Sequence, residues 1–180
     1  MIYWDCDGVL FKYDYSMYDH IYGEPDWNEV GSHAFLRCKP DPFAQEITKR
    51  ISAQMPDDQA ILTAVDGRHG VKARNEQIFD KMTIIAKGYP WLNLCNFMAC
   101  ESEKRNAIGK IKGMRLTKSD ILIDDYKKNL SAWRNAGGTA VKYINGINSI
   151  GDWPGPYIDA TFMAEDEAVE ILMKIWYESC

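Results

Sequence analysis

Ile2-Tyr3-Trp4-Asp5-Cys6-Asp7-Gly8-Val9-Leu10 stands at the start of the chain. A short apolar run ends in two carboxylates one residue apart, and a glycine follows them. That order predicts a buried strand opening into a turn at its carboxyl end, with the acids at the opening. An aspartate there can serve as a nucleophile toward phosphorus or as a ligand for a hard cation, and its neighbour two residues on can act as acid and base. A solvated strand end would carry the same letters, so the rest of the chain decides between the two readings.

Working outward, short apolar runs alternate with segments of helical period, the signature of a parallel sheet covered on both faces. Strands are predicted at Ile2 to Trp4, Ala60 to Thr63, Asn96 to Ala99, Ile121 to Ile123 and Thr139 to Tyr143. Helices are predicted over Asp41 to Gln54, Val71 to Ala86, Glu103 to Lys112 and Lys127 to Asn135, the last closed by Gly137-Gly138. Tyr157 to Met163 reads as an edge strand or extended segment, and Glu165 to Trp176 as a closing helix. The expected fold is α/β, a three-layer, Rossmann-like parallel sheet in a single domain.

Phe11 to Cys38 breaks the pattern. It is acidic and turn-rich, and it holds Tyr13, Tyr15, Tyr18, Tyr22, Trp27 and Phe35. So many rings in a short loop are costly unless they cover something, so about residues 12–38 are expected to form a small cap insert. Its place is above the carboxyl ends of the strands, where open α/β sheets bind ligands.

The 180 residues, 46% hydrophobic and 26% charged, suit one soluble globular domain. A net charge of -5 with no basic block disfavours extended nucleic-acid binding. Five cysteines without a CxxC pair fit a reducing compartment, and the start of the chain carries no export signal, so a cytoplasmic protein is expected. No stretch approaches the roughly 20 apolar residues of a membrane span. His20, His33 and His69 lack zinc-ligand spacing.

Four predicted strand ends carry polar residues suited to one site: Asp5 and Asp7, Thr63, Lys104 at the start of the helix after the third strand, and Asp124-Asp125. So many acids around one point would repel one another strongly, which implies a divalent cation, with Mg2+ the natural choice. Neighbouring strand residues face opposite ways, so Asp124 and Asp125 are expected to be unequal ligands. Thr63 and Lys104 would offer donors to phosphate oxygens, and Lys104 would offset charge on Asp5.

With these four motifs the chain resembles the haloacid dehalogenase (HAD) superfamily of aspartyl-phosphate phosphatases. Leu122-Ile123-Asp124-Asp125 with Lys128-Asn129-Leu130, Trp133, Ala136-Gly137-Gly138 and Asn145-Gly146 is similar to its 5'-nucleotidase-like branch, which includes pyrimidine deoxynucleotidases. The resemblance implies Asp5 as nucleophile and Asp7 as acid and base. It implies Mg2+ held by Asp5, by the Asp7 backbone carbonyl and by Asp124 and Asp125, and a phosphoryl group held by Thr63 and Lys104. The expected substrate is a small phosphate monoester, with nucleoside monophosphates favoured.

Two departures stand out: the insert is short for a nucleotidase of this group, and Asp66-Gly67-Arg68-His69-Gly70 matches no pattern and reads as a solvated turn. Two other functions fit the same residues. One is a phosphatase for nucleic-acid ends, removing a 3'-phosphate; the other is a phosphate-responsive module without turnover. Cys6, beside the nucleophile, raises the question of redox sensitivity.

Overall fold

A computed structural model of the protein describes residues 1–12, 33–68, 70–101, 103–113, 115–146 and 150–179. The expected insert falls mainly on residues 13–32, outside the described residues, as do its Tyr13, Tyr15, Tyr18, Tyr22 and Trp27, and His69 of the unmatched loop.

In chain order the elements are β1 (Ile2–Trp4), β2 (Phe11–Lys12), β3 (Lys39–Pro40), α1 (Pro42–Gln54), β4 (Gln59–Ala64), α2 (Gly70–Gly88), β5 (Phe97–Cys100), α3 (Lys104–Lys112), β6 (Ile121–Asp124), α4 (Lys127–Asn135), β7 (Thr139–Ile144), β8 (Tyr157–Asp159) and α5 (Glu165–Ser179). Six strands form one sheet in the order β5-β4-β1-β6-β7-β8, every neighbouring pair parallel. β2 and β3 form a separate antiparallel pair, Phe11 opposite Pro40 and Lys12 opposite Lys39, which sets residues 12 and 39 side by side.

The pleat of the strands sorts their side chains into two cores, since successive residues face opposite ways. Ile2, Trp4, Ile61, Ile121, Ile123, Val141 and Tyr143 pack with Ile47 and Ile51 of α1, Ile84 and Ile85 of α2, and Leu172 of α5. Tyr3, Ala60, Leu62, Leu122 and Ala140 face the other way, onto Ile108 of α3 and Leu130 and Trp133 of α4. The predicted three layers are therefore present, with helices on both faces.

Local chemistry fixes the element ends. Asp41 caps α1, its Oδ1 accepting from the Ala44 amide at 3.0 Å, and Pro42 occupies the first turn, where no amide donor is needed. β5 begins at Phe97 rather than at Asn96, because Asn96 completes a short 3₁₀ turn whose start is capped by the Asn93 side chain. Gly137, at φ 102, lets the chain leave α4 in a left-handed conformation. Among the described residues, no helix is long and apolar enough to cross a membrane.

The approach of β7 to α4 depends on Gly138. A Cβ there would lie 2.2 Å from Trp133 Nε1, and that indole is locked by a 2.9 Å bond to the Asp120 carbonyl and by an edge contact with Tyr3. Gly138→Ala is expected to destabilise the protein by about 1–3 kcal/mol through overpacking. Urea unfolding followed by tryptophan fluorescence measures this, and Gly151→Ala is not a fair control because of its positive φ.

Candidate active site

The carboxyl ends of β4, β1 and β6 lie side by side, and the chain runs from β1 to β4 on one side and places β6 on the other. That is a switch point, where the loops diverge and leave a crevice. Trp4 is level with Ile61 and Ile123, so Asp5 follows level with Asp124, and the Asp5 amide donates to the Ile123 carbonyl at 3.0 Å.

Tyr3 and Leu122 face α3 and α4, and by the same alternation so do Asp5 and Asp124. Lys104 opens α3 on that face. Its ammonium, 2% exposed, lies 2.7 Å from Asp5 Oδ1 and 2.6 Å from Asp124 Oδ2. The predicted pairing of Lys104 with Asp5 is present, and it extends to Asp124. Asp124 also accepts from the Tyr126 amide at 2.7 Å and from Asn129 Nδ2 at 3.0 Å.

Asp125 lies one residue beyond the end of β6, so strand alternation does not turn it away. Carboxylate oxygens of Asp5, Asp124 and Asp125 lie within 4.8 Å of one another. The expectation that the two acids differ because they face opposite ways is therefore corrected: they converge, and they differ in their partners. Asp125 Oδ2 accepts from Asn145 Nδ2 at 3.0 Å, and the same amide nitrogen bonds the Gly8 carbonyl at 2.8 Å. Gly8 has φ +76, and a Cβ on it would lie 2.2 Å from Asp125 Oδ2. The glycine of the opening motif thus meets a left-handed turn and a carboxylate at close range together.

Burial pushes the Asp5 carboxyl well above the ordinary carboxylate range; Lys104 pulls it back down, while Asp124, Asp7 and Asp125 push it further up. Burial alone would lower Lys104, but Asp124 and Asp5 outweigh it and hold the ammonium charged. Three buried carboxyl groups whose oxygens converge are a set of hard oxygen donors, and they fit a divalent cation of the magnesium type.

The remaining groups come from the opposite face of the sheet. Thr63, level with Cys6, turns to α2, where Lys81 Nζ donates to Thr63 Oγ1 at 3.0 Å, to the Ala64 carbonyl at 2.7 Å and to Asp7 Oδ2 at 2.5 Å. The Asp7 carboxylate is not one of the three clustered acids; its Oδ1 is buried without a hydrogen-bond partner among the described residues. Beside Asp7 opens a cavity of about 590 Å³, lined in part by Phe35, Lys81, Asp66, Arg68 and Glu101. Arg68 is exposed and grips Asp66 from two nitrogens. Cys6 is wholly buried, and burial pushes its thiol far up, so it lacks the exposed thiolate that redox sensing requires.

Lys81 was not predicted. The signal for it lies in α2, where residues 81, 84, 85 and 88 share the buried stripe and a lysine occupies an apolar position. Asn129 and Asn145 stood in the sequence only as parts of a resemblance, and the fold gives each a carboxylate to hold.

No family model matches the chain, and no curated protein matches it in sequence. Solved structures do match in fold. D,D-heptose 1,7-bisphosphate phosphatase from B. bronchiseptica, crystallised with magnesium and phosphate, superposes with a TM-score of 0.59 at 17% identity over 96% of this chain and 97% of that one. A HAD-superfamily hydrolase from Ehrlichia chaffeensis gives 0.56 at 10% identity over 97% and 96% of the two chains. A protein assigned as a HAD-like phosphatase from Mesorhizobium loti gives 0.55 at 13% identity over 99% and 87%. The chain shares the fold of these HAD-superfamily structures.

Gly8→Ala must push Asp125 aside, and the increase in Tm on adding Mg2+ is expected to shrink or vanish while the cation-free protein remains folded. Asp5→Asn removes a carboxylate whose folded-state pKa is raised. Below the unfolded carboxyl value both states are protonated and the substitution has no such effect. As pH rises from there through the folded value, the parent loses stability and the variant does not. Without divalent cation, the parent is expected to lose more stability than Asp5→Asn between acid and neutral pH, whatever constant offset the lost Lys104 contact adds, as read by urea unfolding at each pH.

Proposed function

We propose that the protein is a magnesium-dependent phosphomonoesterase that works through an aspartyl-phosphate. The observation that carries this is the convergence of carboxylate oxygens of Asp5, Asp124 and Asp125, with the buried Lys104 ammonium set against Asp5 and Asp124. The shared fold with a phosphatase crystallised with magnesium and phosphate supports it.

In this reading a carboxylate oxygen of Asp5 attacks phosphorus in line with the leaving oxygen. The bond from phosphorus to that oxygen breaks, and Asp7 gives it a proton. A water then attacks the phosphorus of phospho-Asp5 and passes its proton to Asp7; the acyl-phosphate bond breaks and Asp5 is restored. Lys104 and Thr63 donate to the phosphoryl oxygens. The carboxylates of Asp5, Asp124 and Asp125 and the backbone carbonyl of Asp7 would hold Mg2+, which offsets negative charge as the phosphoryl group transfers.

The cavity beside Asp7 is the room for the leaving group, and its volume lies within the usual range for small organic ligands. A nucleoside monophosphate is the favoured substrate, its base stacking on rings of the proposed cap, residues 12–38. The free thiols of Cys6, Cys38, Cys95 and Cys100 support a cytoplasmic setting.

Purified protein assayed with Mg2+ against nucleoside monophosphates, sugar phosphates and a 3'-phosphorylated oligonucleotide tests the proposal. Release of phosphate from mononucleotides is expected, lost on chelation and reduced roughly a thousandfold or more in Asp5→Asn. Release from sugar phosphates alone would replace the nucleotide assignment, and no release from any ester would overturn the phosphatase.

A further inference from the structure

We propose that Lys81 is a positioning residue that holds the side chains of Asp7 and Thr63 in working orientation, an inference resting on the phosphomonoesterase reading above. An ammonium carries three protons and no acceptor. Lys81 Nζ has three acceptors within reach, Asp7 Oδ2 at 2.5 Å, Ala64 O at 2.7 Å and Thr63 Oγ1 at 3.0 Å, one for each proton. None is left for a phosphate oxygen. The ring of Phe35, whose centroid is 4.6 Å from Nζ, packs against the ammonium, and the side chain is 1% exposed. A lysine this enclosed, with its hydrogen-bonding capacity filled, is a strut between α2 and the ends of β1 and β4.

The strut has a separate consequence for each partner. Asp7 is tied by Oδ2 alone, which leaves Oδ1, buried and without a partner among the described residues, as the oxygen offered to a leaving group or a water. Thr63 Oγ1 accepts from Lys81, so its own proton must point elsewhere. Its acceptors are the Ala64 carbonyl at 3.3 Å, a long bond, and the Cys6 sulfur, a weak acceptor, and a charged phosphoryl oxygen would outcompete both. Lys81 thereby decides which Asp7 oxygen works and which way the Thr63 hydroxyl donates, without touching the substrate.

Lys81→Met removes the strut and keeps most of the volume. Its kcat/KM is compared with the parent's on an alkyl phosphate, whose leaving oxygen needs a proton, and on p-nitrophenyl phosphate, whose leaving group departs without one. The alkyl ester is expected to lose about 10- to 100-fold more than the aryl ester through Asp7, while inhibition by inorganic phosphate weakens a few-fold through Thr63. Equal losses on both esters would overturn the hold on Asp7, and unchanged phosphate inhibition would overturn the hold on Thr63. If Lys81→Met does not fold, Lys81→Arg gives the same reading, because a planar guanidinium cannot reproduce the three-way contact. A crystal structure of the variant reads the strut independently of turnover. Asp7 should leave its rotamer while Asp5, Lys104 and Asp124 stay in place, and an unmoved Asp7 would contradict the proposal. A parent protein inactive on every ester would sink the phosphatase reading but leave this structural result standing.

Discussion

One buried ammonium, Lys104, between Asp5 and Asp124 is the contact on which the rest of the crevice depends. Taking these charges out of water costs several kcal/mol per ion, and removing one partner of such a pair costs about 3–5 kcal/mol because the others are left uncompensated. Nothing in the packing of the domain calls for that expense. The apolar cores on the two faces are complete without it, and the strand ends could have carried serines or threonines at less cost. Asp125 brings a third carboxylate to the two that Lys104 holds, and the three together would hold a divalent cation.

The pleat of β1, β4 and β6 divides the machinery between two faces. Asp5, Asp124 and Lys104 belong to the α3 and α4 side, whereas Thr63 and Lys81 belong to the α2 side. Asp7, past the strand, reaches Lys81. The charge-balancing half and the half assigned to proton transfer therefore rest on different helices, and each can be perturbed separately. The Asn145 side chain ties the Gly8 carbonyl of the opening turn to Asp125, so two carboxylate motifs far apart in the sequence are fixed to each other by hydrogen bonds as well as by charge.

Most of the sheet was legible because the central strands β1, β4, β6 and β7 are brief apolar runs buried on both faces, and the helices between them keep a regular apolar stripe. Asp5 and Asp124 could be read as a pair from their places at strand ends. What resisted was whatever depends on position beyond a strand's end. Asp125 escapes the alternation rule because β6 stops one residue before it. Lys81 lies 18 residues past Thr63 in a long helix, and only the fold brings its amine to Asp7. Its single visible trace, a lysine on a buried stripe, has the ordinary alternative of a side chain that snorkels to solvent.

The central claim is that Asp5 carries the phosphoryl group covalently. Rapid acid quench of protein turning over a phosphate-labelled monoester, followed by peptide mapping, tests it directly. The account predicts label on the peptide containing Asp5, dependent on Mg2+ and released by hydroxylamine as an acyl-phosphate must be. Steady turnover with no label on that peptide at any quench time, and undiminished in Asp5→Asn, would contradict it.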